Sequence, residues 1–196
     1  MVVLIIHLPR LSHGTFIYMS ATFSSPRENV LQLGLREGMR VADLGAGSGH
    51  YALAAAGAVG HSGKVYAIDV QEDILKHLKD SAGRKHIYTI ETIWGDAEKP
   101  AGTNLREHSI DVVILANTFF QIENRFGLLA EIKRVIKSGG KLLVVDWAGS
   151  YSGIGPIPEK VVSEHDAEGF FIQGGFHKMK SFRGGPHHYA ILFTAP

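Results

Sequence analysis

A carboxylate followed by three glycines at alternate positions closes a short apolar run: Val41-Ala42-Asp43-Leu44-Gly45-Ala46-Gly47-Ser48-Gly49-His50-Tyr51. A helix-forming stretch comes next, and then a second apolar run ends on another carboxylate, Val65-Tyr66-Ala67-Ile68-Asp69. Strand, tight loop, helix and strand in that order make half of a nucleotide-binding βαβ unit. Glycines let backbone N–H groups approach a ligand with no Cβ in the way. The N-terminus of the helix behind them favours a negative group. Asp69 stands 20 positions after Gly49, at the tip of the second strand, where a carboxylate can accept from both hydroxyls of a ribose. A ligand carrying an adenosine and a carboxylate fits this frame.

The spacing chooses between ligand types. Dinucleotide sites usually read Gly-x-Gly-x-x-Gly, whereas here it is Gly45-x-Gly47-x-Gly49, preceded by Asp43. That pattern resembles motif I of the class I S-adenosylmethionine-dependent methyltransferases, and Asp69 resembles their ribose-binding acid. Trp94-Gly95-Asp96-Ala97-Glu98 resembles their third motif. Residues 109–117, ending on Ala116-Asn117, resemble the fourth strand, and residues 129–146 the helix, Gly-Gly turn and fifth strand. Ser138 stands where the family more often has proline. The resemblance covers about residues 30–195. It implies a Rossmann-like α/β fold, with helices on both faces of a mostly parallel seven-stranded sheet whose last strand is antiparallel. It also implies S-adenosylmethionine as cofactor and S-adenosylhomocysteine as product. The cofactor-binding residues would be Asp43, Gly45, Ala46, Gly47, Gly49, Asp69, Val70, Asp96, Ala97 and Asn117. In that set Asp96 would accept from the adenine amino group and Ala97 would meet a ring nitrogen through its backbone.

Methyl transfer from a sulfonium asks mainly for collinear positioning of nucleophile, methyl and sulfur. A general base is needed only when the nucleophile arrives protonated. Candidates must therefore lie after strands four and five. Asn117-Thr118-Phe119-Phe120 has the asparagine and aromatic of an Asn-Pro-Pro-Tyr signature but neither proline, which argues against methylation of base or glutamine amino groups. Asp146-Trp147 ends strand five, a glycine-rich loop follows, and Gly175-Phe176 opens strand six. This resembles the small-molecule branch near the ubiquinone/menaquinone-biosynthesis C-methyltransferases. Asp146 is the candidate catalytic acid or base, with a capped loop as its bland alternative. Eleven histidines are many, yet His187 and His188 point to opposite faces of a strand and no metal site is expected. His50, just after the last loop glycine, is expected near the ligand carboxylate.

Several elements must position these groups. The sequence predicts helices over residues 26–33, 50–59, 72–81, 125–136 and 158–168. Strands are expected over 40–44, 64–68, 87–93, 111–116, 141–146, 176–182 and 188–194. Alternating β and α segments with a terminal hairpin imply a mostly parallel sheet, with the ligand at its carboxyl edge where strand order reverses.

Composition bounds the rest. The 196 residues suit one domain, divided as a 1–25 extension and a 26–196 catalytic unit. A formal net charge of +1 gives no case for nucleic acid or anionic membrane as obligatory partner. The absence of cysteine excludes disulfides and thiolate metal sites. The apolar residues 1–6 are too short to span a bilayer. They suit an extra strand or strap, and Met19 offers an alternative start. The expectation is a cytoplasmic methyltransferase acting on a small molecule. An RNA or protein methyltransferase, a nicotinamide-dependent oxidoreductase and a non-catalytic S-adenosylmethionine-binding protein remain as alternatives.

Overall fold

Strands buried on both faces must be apolar along their whole length. Val41, Ala42 and Leu44, Val65 to Ile68, Val112 to Leu115 and Leu142 to Val145 are all essentially inaccessible to solvent. The computed structural model describes residues 24–151 and 154–196, so residues 1–23, including Met19, lie outside the described residues. Seven strands form one sheet: β1 (Arg40–Leu44), β2 (Lys64–Asp69), β3 (Ile90–Trp94), β4 (Ile110–Ala116), β5 (Ile136–Trp147), β6 (His177–Gly185) and β7 (His188–Thr194). Their order is β3-β2-β1-β4-β5-β7-β6. Parallel pairing joins β1 through β5, and β7 runs antiparallel between β5 and β6. The chain leaves β1 toward β3 and returns to β4 on the other side, so β1 and β4 frame the crevice where strand order reverses.

Helices cover both faces. On one face α1 (Pro26–Leu31) and α2 (His50–Val59) join α3 (Glu72–Arg84) to bury Val30, Ala52, Ala55, Val59 and Leu78 against the sheet. On the other, α4 (Arg125–Val135) and α5 (Glu164–Gln173) bury Leu128, Ile132, Val135 and Phe171. Among the described residues no helix is long and apolar enough to cross a membrane.

Several boundaries depart from expectation, and three have a clear physical reason. The helix expected over 158–168 is a 3₁₀ turn at Pro158–Lys160 followed by α5. Ser163 sets the start of α5 by accepting the Asp166 N–H in its side chain, a cap that leaves Val161 extended. β3 begins at Ile90 rather than residue 87, because α3 runs on to Arg84 and His86 adopts a left-handed φ of 55°. β5 begins five residues early, at Ile136, which pairs with Ile110 ahead of a register shift.

Candidate functional site

A cavity of about 470 Å³ opens at the carboxyl edge of β1, β2 and β4, the size class of small-molecule and cofactor sites. The turn after β1 forms its floor and is stitched to β2 by the Gly45 and Ala46 N–H groups, which donate to the Ile68 carbonyl at 2.9 and 3.0 Å. Gly47 has a φ of +51°, and a Cβ there would point into open space. Its glycine thus keeps the cavity floor bare rather than relieving a contact inside the protein. Gly49 has the opposite reason. A Cβ at its φ of +79° would lie 2.1 Å from Leu78 Cδ1, so its bare Cα lets α2 seat against α3.

Asp69 faces this floor with 8% exposure. Its Oδ2 accepts from the Gly47 N–H at 2.8 Å and its Oδ1 from the Gln71 N–H at 2.9 Å. Two backbone donors lock the carboxylate in place, and each oxygen keeps acceptor capacity for a ribose hydroxyl. Asp43 lies deeper, 2% exposed. Burial pushes its carboxyl up to about 7, against the Ala52 N–H, which lowers it, and with the Asp69 charge, which raises it further. Asp43 Oδ2 is buried with no partner among the described residues. So is Asn117 Oδ1, on a residue held at a left-handed φ of 57° at the end of β4. Two orphaned acceptors in the wall of one cavity fit a cationic donor between them, such as the ammonium of an amino-acid moiety.

The remaining expected residues divide. Gly45, Ala46, Val70, Ala97 and Asn117 line the cavity with Asp43, Gly47 and Asp69. Asp96 does not: its Oδ1 accepts the Glu98 N–H at 3.0 Å and its Oδ2 pairs with Lys99 at 3.1 Å, so the carboxylate holds its own turn while Gly95, Ala97 and Glu98 form the wall. Gly49 is likewise behind the floor. Asp146 is fully buried and outside the cavity wall. Its Oδ2 accepts the Phe120 N–H at 3.0 Å and its Oδ1 the Trp147 N–H at 2.8 Å. Burial raises its carboxyl to about 6, and these backbone donors pull it down. Asp146 thereby fixes the 3₁₀ turn Phe119–Gln121, whose Gln121 lines the cavity. Trp147 packs on His188, ring centroids 4.3 Å apart.

Ser24, His50, Tyr51, Glu98 and Gln121 also line the cavity. Tyr51 belongs to the glycine motif, but the motif alone gives it no role. Its hydroxyl accepts from Asn29 Nδ2 at 2.8 Å, a partner 22 residues away that no local pattern reveals. Among the described residues no group of three His, Asp or Glu side chains is arranged to hold a metal ion.

A model of the methyltransferase domain family matches residues 42–144, just over half of the chain. The chain is 32% identical over 119 residues to the ubiquinone/menaquinone biosynthesis C-methyltransferase UbiE of Cupriavidus taiwanensis, an alignment covering 61% of this chain and 47% of that protein. It is 28% identical over 121 residues to the demethylmenaquinone methyltransferase of Bacillus mycoides, covering 61% and 49%. The chain thus spans about half the length of the curated relatives it matches. A crystal structure of a SAM-dependent methyltransferase from Aquifex aeolicus superposes with a TM-score of 0.81 at 28% identity, over 89% of this chain and 91% of that one. With the β1–β4 crevice, the glycine floor and the acid at the tip of β2 in their places, the chain belongs to the methyltransferase domain family, and its fold is that of the class I S-adenosylmethionine-dependent methyltransferases.

Proposed function

We propose that this protein transfers the methyl group of S-adenosylmethionine to a small-molecule acceptor, with carbon as the favoured receiving atom. One observation carries the reading: Asp43 Oδ2 and Asn117 Oδ1 have no hydrogen-bond partner among the described residues, in a cavity that Asp69 also lines. Those acceptors suit two parts of the cofactor, its ammonium and its ribose. When bound, the cofactor would supply an activated methyl: the bond from methyl carbon to acceptor carbon would form as the bond to sulfur breaks, S-adenosylhomocysteine would leave, and the proton lost from the acceptor carbon would pass to solvent.

The chain's own residues bind and aim. Asp69 holds the ribose hydroxyls. Asp43 and Asn117 orient the ammonium, and the uncovered Gly47 backbone admits the ligand to the loop. Gln121 and Tyr51 wall the same cavity. Asp146, holding the turn that carries Gln121, serves this reading as a positioning group. The carbon acceptor is supported by the likeness to relatives named as C-methyltransferases, and the small-molecule class also by a formal net charge of +1, which gives no electrostatic case for nucleic acid as obligatory partner.

The test is calorimetry with S-adenosylmethionine, S-adenosylhomocysteine and NADH, followed by incubation of the protein with methyl-labelled cofactor and a cell extract. Binding of the two sulfur ligands without NADH, and label in the low-molecular-weight fraction, is the expected outcome. Label in RNA or protein would overturn the acceptor class, and NADH binding alone would overturn the reaction.

A further inference from the structure

The sheet ends differently at its two edges. β6, at one edge, carries Lys178 and Lys180 and shifts register twice against β7. Lysines and bulges keep an edge strand from pairing with another chain. β3, at the other edge, has neither, and no proline. Its residues are Ile90-Glu91-Thr92-Ile93-Trp94, preceded by Tyr88-Thr89, and all but Glu91 are types that favour strands. Glu91 is paired with Lys64 of β2 at 3.5 Å.

The hydrogen bonds to β2 fix which backbone groups of β3 face outward. The Val65 N–H donates to the Thr89 carbonyl at 2.9 Å, and the Gly95 N–H donates to the Asp69 carbonyl at 3.1 Å. A residue of a parallel strand turns its N–H and C=O to the same side, and the next residue turns them to the other. Residues 89, 91, 93 and 95 therefore face β2. The N–H and C=O groups of Ile90, Thr92 and Trp94 face away from it, with no strand beyond them among the described residues. Such a row is a template for another strand.

The strand is complementary to itself. An antiparallel copy paired about a twofold axis at Thr92 sets Thr92 opposite the partner's Thr92, and Ile90 opposite the partner's Trp94. Thr–Thr and aromatic–β-branched pairs are among those that stabilise antiparallel sheets. On the other face Glu91 meets the partner's Ile93, so no like charges are opposed. Ile90, Thr92 and Trp94 share the face that α3 covers, where Ile90 packs against Val65, Ala67 and Leu78. On that face a hollow of about 510 Å³ lies beside the edge, walled by Lys79, Gly83, Arg84, Tyr88 and Ile90. A Cβ on Gly83 would meet nothing within 4 Å. Trp94 is 66% exposed, and the pairing brings the partner's Trp94 over Ile90, at the wall of this hollow. An exposed indole that enters a pocket with cations in its wall is a typical anchor of a protein interface.

We infer that β3 is the interface of a homodimer, in which two copies of this chain pair their β3 edges antiparallel about a twofold axis at Thr92 and join their sheets into one. Main-chain hydrogen bonds supply the pairing, and the twofold contact closes on itself at two copies. Antiparallel pairing sends the two carboxyl edges, and with them the two cofactor cavities, to opposite ends of the joined strands. The assignment does not depend on what those cavities bind.

The experiment is sedimentation velocity of the full chain over a concentration series, joined to cross-linking of single-cysteine variants, which the absence of native cysteine makes specific. The wild type should dimerise with a dissociation constant of about 10 μM or below. Thr92→Lys sets two ammonium groups opposite each other at the axis. Thr92→Pro removes an outward N–H and leaves the bonds to β2 in place. Each should weaken the dimer about tenfold or more, while the dilute protein melts near the wild-type temperature. A short bismaleimide should join Thr92→Cys to its copy, and should leave Met179→Cys, exposed on the β6 edge, unjoined. A wild type that stays monomeric at about 100 μM overturns the inference. A dimer as tight in Thr92→Lys as in the wild type, or Met179→Cys joined as readily as Thr92→Cys, places the contact elsewhere and overturns it too. Should Thr92→Pro fail to fold, Thr92→Lys and the cross-link decide.

Discussion

Asp43 and Asp69 are both carboxylates of the cofactor cavity, yet their surroundings give them different tasks. Two backbone N–H donors hold Asp69 and leave it ready to accept from a ribose. Asp69→Ala should therefore weaken S-adenosylmethionine and S-adenosylhomocysteine at least about tenfold, 1.4 kcal/mol, with far-UV circular dichroism unchanged; calorimetry checks it. Asp43 is buried without a partner for Oδ2 among the described residues, and its carboxyl is raised from 3.8 to about 7. A carboxyl raised on folding favours the folded state fully below about pH 4. That contribution disappears as pH climbs to about 7, at about 1.4 kcal/mol for each pH unit that separates the folded and unfolded pKa values. The ligand-free protein should accordingly lose stability across this window by an amount that Asp43→Asn abolishes, read as the difference between the two melting curves against pH. The same variant should bind S-adenosylmethionine more weakly above pH 7, because an amide lacks the charge that an ammonium meets.

At the scale of elements, the loop into α2 separates two kinds of glycine. Gly47→Val puts a side chain into the open space over the cavity floor, which the proposed ligand would occupy. The left-handed backbone costs about 1–2 kcal/mol, so the fold should persist while affinity falls about a hundredfold, 2.7 kcal/mol. Gly49→Val meets Leu78 instead, and should lower the melting temperature more than Gly47→Val does. The 3₁₀ turn Phe119–Gln121 depends on Asp146 in a comparable way. Asp146→Asn leaves one of the Phe120 and Trp147 N–H groups without its acceptor, at a cost of about 1–3 kcal/mol. Cofactor affinity should stay within about threefold, under 1 kcal/mol, while kcat falls and KM for the acceptor shifts with the loosened turn. Unchanged stability and kcat would remove the positioning role. Most of these elements were legible locally, since apolar runs and glycine turns announce strands and their ends. The start of α5 carries a local signal as well, the Ser163-x-x-Asp166 cap, which competes with Pro158 as a helix opener and wins. The early start of β5 has no such signal: Ile136 to Gly140 read as helix end and turn, and only pairing with Ile110 makes them strand.

Across the whole molecule, the first described helix is latched to the last hairpin. Asn29 Nδ2 donates to the Gly184 carbonyl and to the Tyr51 hydroxyl, both at 2.8 Å, and the Ser25 N–H donates to the same carbonyl at 2.9 Å. Three segments far apart in the chain thus close one side of the cofactor cavity, where Ser24 and Tyr51 stand. Asn29→Ala removes both side-chain bonds and leaves the buried phenol of Tyr51 underserved. It should cost about 1–3 kcal/mol of stability and raise hydrogen exchange in α1 ahead of the central strands. Exchange that rises equally in β4 would show a global rather than a local loss.

The sequence by itself determined the α/β alternation, the strand cores and the glycine–acid frame of the cofactor site, because each rests on interactions between residues close in the chain or on a periodicity that burial imposes. It also singled out Asp43, Gly47 and Asp69, which the fold brings to one cavity at the carboxyl edge of β1 and β2. The tertiary structure alone decided where side chains with several possible partners turn. Asp96 folds back on Glu98 and Lys99 rather than toward the cavity, and Asp146 holds the 3₁₀ turn from beneath. Asn29 reaches 155 residues along the chain to Gly184. A buried polar atom takes whichever partner packing brings within reach, and that choice is fixed by contacts between elements that no local pattern encodes.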